Sequence, residues 1–130
     1  MDEGLSMIVE TIEKYIHKPY VQGKDDCTLL VLDYLELYDY RKLAEGRYKT
    51  IRGAMRVLPT LSHYKTMDEL LRDFCDVVED GSIYDGDIVF HKIHAYLYWQ
   101  GNLFGVHHDH FKLTRVNLPL TNDYKVYRKR

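Results

Sequence analysis

The sequence predicts an α+β fold, N-terminal helices packed on a C-terminal antiparallel sheet, on three observations. Leu5, Ile8, Val9, Ile12, Tyr15 and Ile16 recur at spacings of three and four, the repeat of an amphipathic helix. A glycine- and aspartate-rich turn then runs into Leu29, Leu30, Val31, Leu32, Leu35 and Leu37, apolar on more than one face. From Gly81 the texture changes to short alternating segments rich in β-branched and aromatic residues, separated by Gly, Asn and Asp. Helices first and strands after define the class.

Each element has its own local justification. The first helix is expected to end before Pro19, because the residue ahead of a proline is pushed out of helical geometry. Gly23 permits backbone angles closed to other residues, and Asp25 or Asp26 can cap exposed amides, so a second helix is expected to start at about Cys27 and to be packed on several sides. Gly46 and Gly53 interrupt the tyrosine-rich stretch that follows, which leaves short helices at 41–44 and 51–58, the latter stopped by Pro59. Thr66 is a cap for a helix over 67–74, with Glu69 three residues on as in a capping box. Strands are expected at 87–92, 94–100, 102–107, 111–117 and 124–128, with Gln100, Gly101 and Asn102 forming a hairpin turn and the whole reading as a mainly antiparallel meander.

The 130 residues match the length of one domain, and 1–130 is read as such. A net charge of −2 gives no electrostatic case for nucleic acid, and the basic tail YKVYRKR is read as a solvated terminus. The N-terminus carries acids where a secretory signal needs positive charge, and no apolar run approaches the roughly 18 residues of a membrane span. The expectation is a protein made in the cytoplasm without a signal peptide and without a membrane partner. Cys27 and Cys75 are both read as thiols, and Cys75, with no glycine turn or helix start before it, as a small packing residue.

Cys27 is the candidate nucleophile. A thiol at a helix N-terminus feels the positive end of the macrodipole, which favours its thiolate, while Asp25 and Asp26 oppose this if both are charged. A cationic partner settles the balance, and histidine is the usual one.

Pro19, Tyr20, Val21, Gly23, Asp26, Cys27, Leu30 and Val31, with GDIVF (Gly86 to Phe90) and HAYLYWQGN (His94 to Asn102), resemble the NlpC-type cell-wall cysteine peptidases of the papain-like superfamily. The middle stretch GRYKTIRGAMRVL is similar to phage-encoded, tail-associated members. Thr28 and Leu29 depart from the family's pattern, which usually has Ser-Gly after the cysteine.

This resemblance implies a papain-like fold with Cys27 as nucleophile, His94 as proton carrier and His107 as the group that orients it, with His108 as the fallback. It places Tyr20 and Asp26 at the substrate or oxyanion end. The implied substrate is a peptidoglycan peptide or another amide, with no cofactor. Other phage tail proteins are implied as partners, with incorporation into a virion. An alternative is a structural or adaptor protein of a phage tail that keeps the fold with little or no catalysis. The histidine-rich set His91, His94, His107, His108, Asp109 and His110 invites a zinc reading, but no HExxH or paired CxxC spacing supports it and no metal is assigned. Asp87 is read as a turn and strand-start residue.

Overall fold

A computed structural model describes residues 3–50, 53, 56, 59–60 and 63–130. Within them the chain is α+β, with four helices and one six-stranded antiparallel sheet. The helices are α1 (Glu3–Tyr15), α2 (Cys27–Tyr34), α3 (Tyr38–Ala44) and α4 (Met67–Phe74). The strands are β1 (Cys75–Val78), β2 (Ile88–His91), β3 (His94–Trp99), β4 (Asn102–His107), β5 (His110–Arg115) and β6 (Tyr124–Lys129). Most of the helix expected at 51–58 lies outside the described residues. No helix among the described residues is long and apolar enough to cross a membrane.

The apolar repeat of α1 buries Ile8, Ile12 and Tyr15, and the chain leaves the helix through His17 at φ 68 before Pro19. Helix α2 is enclosed on nearly every side. Only Thr28 among its residues escapes full burial, and Leu29, Leu30 and Val31 have no exposed surface. Each such aliphatic side chain contributes about 1.5–3 kcal/mol on leaving water, so α2 anchors the core although its isolated propensity is modest. Thr66 caps α4 by accepting from the Glu69 amide at 3.2 Å. Glu69 reaches back one residue further than a capping box requires, accepting from the Lys65 amide at 2.8 Å.

Strands β2 to β5 form the expected meander, but the sheet order is β1-β6-β2-β3-β4-β5. The last strand therefore returns to lie between β2 and a strand absent from the sequence expectations. Cys75–Val78 follows α4 without a break and is only four residues long, too short for alternation to signal a strand. Its pairing with β6, Cys75 opposite Lys129 and Val78 opposite Val126, creates it. The β3–β4 turn is tighter than expected. Gln100 and Gly101, at φ 45 and 81, make the reversal, and Asn102 already pairs with Trp99.

Alternation divides the sheet into two faces. Ile88, Ala95, Leu97, Phe104, Phe111 and Tyr127 join α1 and α2 in the main core. Val89, Tyr98, Leu103 and Val126 form a smaller cluster, with Tyr96 and Tyr124 packed against it. Asp87 is buried, accepts from the Tyr84 amide at 2.8 Å and pairs with Arg128 at 2.8 Å, the structural role expected of it. Cys75 is a free, buried thiol that burial pushes up to about 11.

Candidate functional site

The turn ahead of α2 is held by backbone and one carboxylate. Val21 and Asp25 exchange amide hydrogen bonds at 2.9 and 2.8 Å, closing a short loop around Gly23. At φ 86 that glycine is in the left-handed region, and an added Cβ would lie 2.3 Å from the Tyr48 carbonyl oxygen. Asp26 has no exposed surface. Its Oδ1 accepts from the Leu29 amide at 2.8 Å as the N-cap of α2, while Oδ2 accepts from the Gly23 amide at 2.7 Å and from Tyr48 Oη at 2.8 Å. One carboxylate thus ties the turn, the helix start and the segment after α3 to the residue before Cys27.

Cys27 opens α2 and is 8% exposed. Burial pushes its thiol up to about 11, the opposite direction to that expected of a helix N-terminal nucleophile. The Ala95 amide works against burial by favouring the thiolate, as do the amides of Cys27 and Thr28, while the Asp26 charge adds to the rise.

Strand geometry frees the Ala95 amide for this contact. Tyr98 donates to the Asp87 carbonyl at 2.8 Å, so Tyr98 faces β2 and, by alternation, Ala95 and Leu97 turn their amides toward β4. The β3–β4 ladder runs only from Trp99 opposite Asn102 to Leu97 opposite Phe104, although β4 continues to His107 in its pairing with β5. Beyond Leu97 the β3–β4 ladder ends, although Gly105 stays close to the Ala95 carbonyl and the Tyr96 ring. The Ala95 amide favours the thiolate form of Cys27.

His94 begins β3, next to Ala95, and stands opposite His91 in the β2–β3 register. Its ring is exposed and, among the described residues, makes no hydrogen bond with Cys27. Alternation puts it on the face of Tyr96 and Tyr98, away from Ala95 and α2. His107 is on that same face, stacked on Tyr96 with centroids 5.3 Å apart. Its Nε2 donates to the Leu103 carbonyl at 3.1 Å, so the ring lies back along β4 over Gly105 rather than reaching His94. Gly105 makes the space, since a Cβ there would come within 2.6 Å of Tyr96 Cδ1. His108 is exposed at φ 63 in the β4–β5 turn.

Tyr20 is half-buried beside Cys27, its amide donating to the Asp109 carbonyl at 2.7 Å. Burial, followed by the charges of Cys27 and Asp26, raises its hydroxyl pKa. The structure thus gathers Cys27, Asp26 and Tyr20 at one place, while His94 and His107 lie on the sheet face that carries Tyr96 and Tyr98. Tyr48 and Tyr96 join the site without having been singled out. Burial raises the hydroxyl pKa of each, with Asp26 and then Cys27 adding to it at Tyr48 and Cys27 at Tyr96. Gln22, in the same turn, has its Oε1 buried without a hydrogen-bond partner among the described residues. Tyr48 lies 22 positions from Asp26, and in a chain of 12 tyrosines no local pattern distinguishes it.

The histidine-rich set is dispersed. His91 pairs with Asp123 at 2.7 Å and stacks on Tyr124, and His110 pairs with Asp109 at 2.7 Å. Among the described residues no three His, Cys, Asp or Glu side chains converge as a metal site would require.

A family model described as a domain of unknown function, DUF6950, matches residues 5–124. No curated protein and no solved structure matches the chain.

Proposed function

We propose that this chain, which belongs to the DUF6950 family, is a cysteine peptidase or amidase of papain-like type with Cys27 as its nucleophile. The observation that carries the reading is the setting of the sulfur. It sits at the start of a buried helix, with the amides of Ala95, Cys27 and Thr28 favouring its thiolate and His94 adjoining Ala95. Helix amides aimed at a thiolate also serve the oxyanion that forms when it attacks a carbonyl.

In the reaction, Cys27 Sγ loses its proton to the imidazole of His94 and adds to the carbonyl carbon of an amide. The C–N bond breaks as His94 returns that proton to the leaving amine, and water then hydrolyses the thioester. The exposed His94 ring has to turn over the end of β3 to reach the sulfur, a closure that substrate would complete. The substrate class is a peptidoglycan stem or cross-link peptide or another amide, and the setting is a phage-encoded, tail-associated protein. A second reading, a tail structural or adaptor protein that keeps the fold for binding, is favoured by the thiol at about 11 and the missing Cys27–His94 hydrogen bond.

Incubation with purified peptidoglycan, followed by quantification of new amino termini, tests the enzyme. Wild-type protein is expected to release them and Cys27→Ala to release none. Absence of release by wild type, or equal release by the variant, overturns the peptidoglycan-hydrolase reading.

A further inference from the structure

We propose that Tyr48 is a positioning residue for Cys27, acting through the buried carboxylate of Asp26; this rests on the reading of Cys27 as the nucleophile. The geometry is closed on every side. Asp26 Oδ1 is committed to the Leu29 amide, and Oδ2 holds both the Gly23 amide and the Tyr48 hydroxyl. Tyr48 is the side-chain partner in that set, and its 2.8 Å hydrogen bond is charge-assisted.

The phenol is itself held in place. Tyr48 is 5% exposed, its carbonyl occupies the space a side chain at position 23 would need, and the Gly46 amide donates to the Gly23 carbonyl at 2.8 Å. The segment after α3 is therefore clamped onto the turn that presents the thiol. A carboxylate adjoining a thiol opposes its ionisation, and a donor that draws charge onto Oδ2 weakens the opposition. The groups whose charges act on or respond to Cys27 are Asp26 in the turn, Tyr20 from the preceding segment, Tyr48 from the segment after α3, and Tyr96 from β3. Of these phenols, Tyr48 is the one hydrogen-bonded to the Asp26 carboxylate.

The test is the rate of Cys27 alkylation by iodoacetamide, read at that residue by peptide mass spectrometry between about pH 7 and 10, where the rate follows the thiolate fraction. Asp26→Asn is expected to react fastest, wild type next and Tyr48→Phe slowest. A rise of about half a pKa unit in Tyr48→Phe slows the reaction about three-fold at fixed pH. Cys75, 1% exposed against 8% for Cys27 and read in the same digest, reacts more slowly than Cys27 and equally in all variants if the fold is intact. A Tyr48→Phe profile that superposes on wild type, or runs faster, overturns the proposal. Should that variant not fold, the ring carbon resonances of Tyr48 are followed in wild type as Cys27 titrates; movement at the Cys27 midpoint supports the coupling, and a fixed resonance overturns it. Hydrolysis is scored separately. The expected order without hydrolysis overturns the enzyme, and with it the positioning role, and leaves only the Tyr48–Asp26–Cys27 coupling, whereas hydrolysis without the order overturns only Tyr48.

Discussion

Replacing Asp26 with alanine is the most telling perturbation of stability, because one carboxylate satisfies three donors. The Leu29 amide loses its cap, a contact worth about 1 kcal/mol at a helix N-terminus. The Gly23 amide and the Tyr48 hydroxyl lose their acceptor in a place without solvent, and an unsatisfied buried donor costs about 1–3 kcal/mol. Partial relaxation keeps these from adding fully, so the expected loss is about 3–5 kcal/mol, near the upper end for a single substitution. Tyr48→Phe removes one donor and leaves Asp26 with both backbone amides, so its expected cost is about 1–2 kcal/mol. Urea unfolding followed by circular dichroism measures both, from the shift in midpoint at constant slope. A loss below about 1 kcal/mol for Asp26→Ala would refute the argument, since it would mean that water replaces the carboxylate and that the turn is not held as described.

Two further outcomes are expected. The Cys27 thiol is raised from 9.0 to about 11, so the native state holds its proton more tightly than the unfolded chain does. The stability this contributes is complete below about pH 9 and is lost as the pH rises to about 11, on the order of 3 kcal/mol; Cys27→Ala should make that alkaline decline shallower in thermal melts, with the similarly raised Cys75 contributing part of what remains. If His94 carries the proton in catalysis, His94→Ala should remove hydrolysis, while His107→Asn should leave a measurable fraction. NMR titration of the His94 imidazole in native protein and in Cys27→Ala reads the same contact directly, and identical curves would count against the pair.

The alkaline decline and the proposed chemistry pull in opposite directions. A thiol held protonated by burial is stable and unreactive, and the three amides around it offset that only in part. In the proposed reaction the imidazolium formed at His94 would supply the positive charge that the thiolate lacks.

Local chemistry was legible in the sequence wherever the deciding residues lie within about four positions of one another. Gly23 and Asp26 announce the turn and the cap, and α2 starts at Cys27 as they require. Thr66 places α4 at Met67–Phe74, and Gly101 places the β3–β4 hairpin. Short segments rich in β-branched and aromatic residues, bounded by Gly, Asn and Asp, marked five of the six strands among the described residues. What tertiary structure decided depends on groups far apart in the chain. Four residues after α4 became a strand only because β6 pairs with them, and β6 inserts between β1 and β2. Tyr48 meets Asp26 across 22 positions, a contact no periodicity encodes. The face on which His94 lies follows from the parity of β3 against its neighbours, and a one-residue difference in register reverses it. The sequence thus supplies a cysteine, a histidine-led strand and the turn between helix and loop, while the point at which the β3–β4 ladder ends is set by hydrogen-bond pairing between distant segments, which carries no local signature.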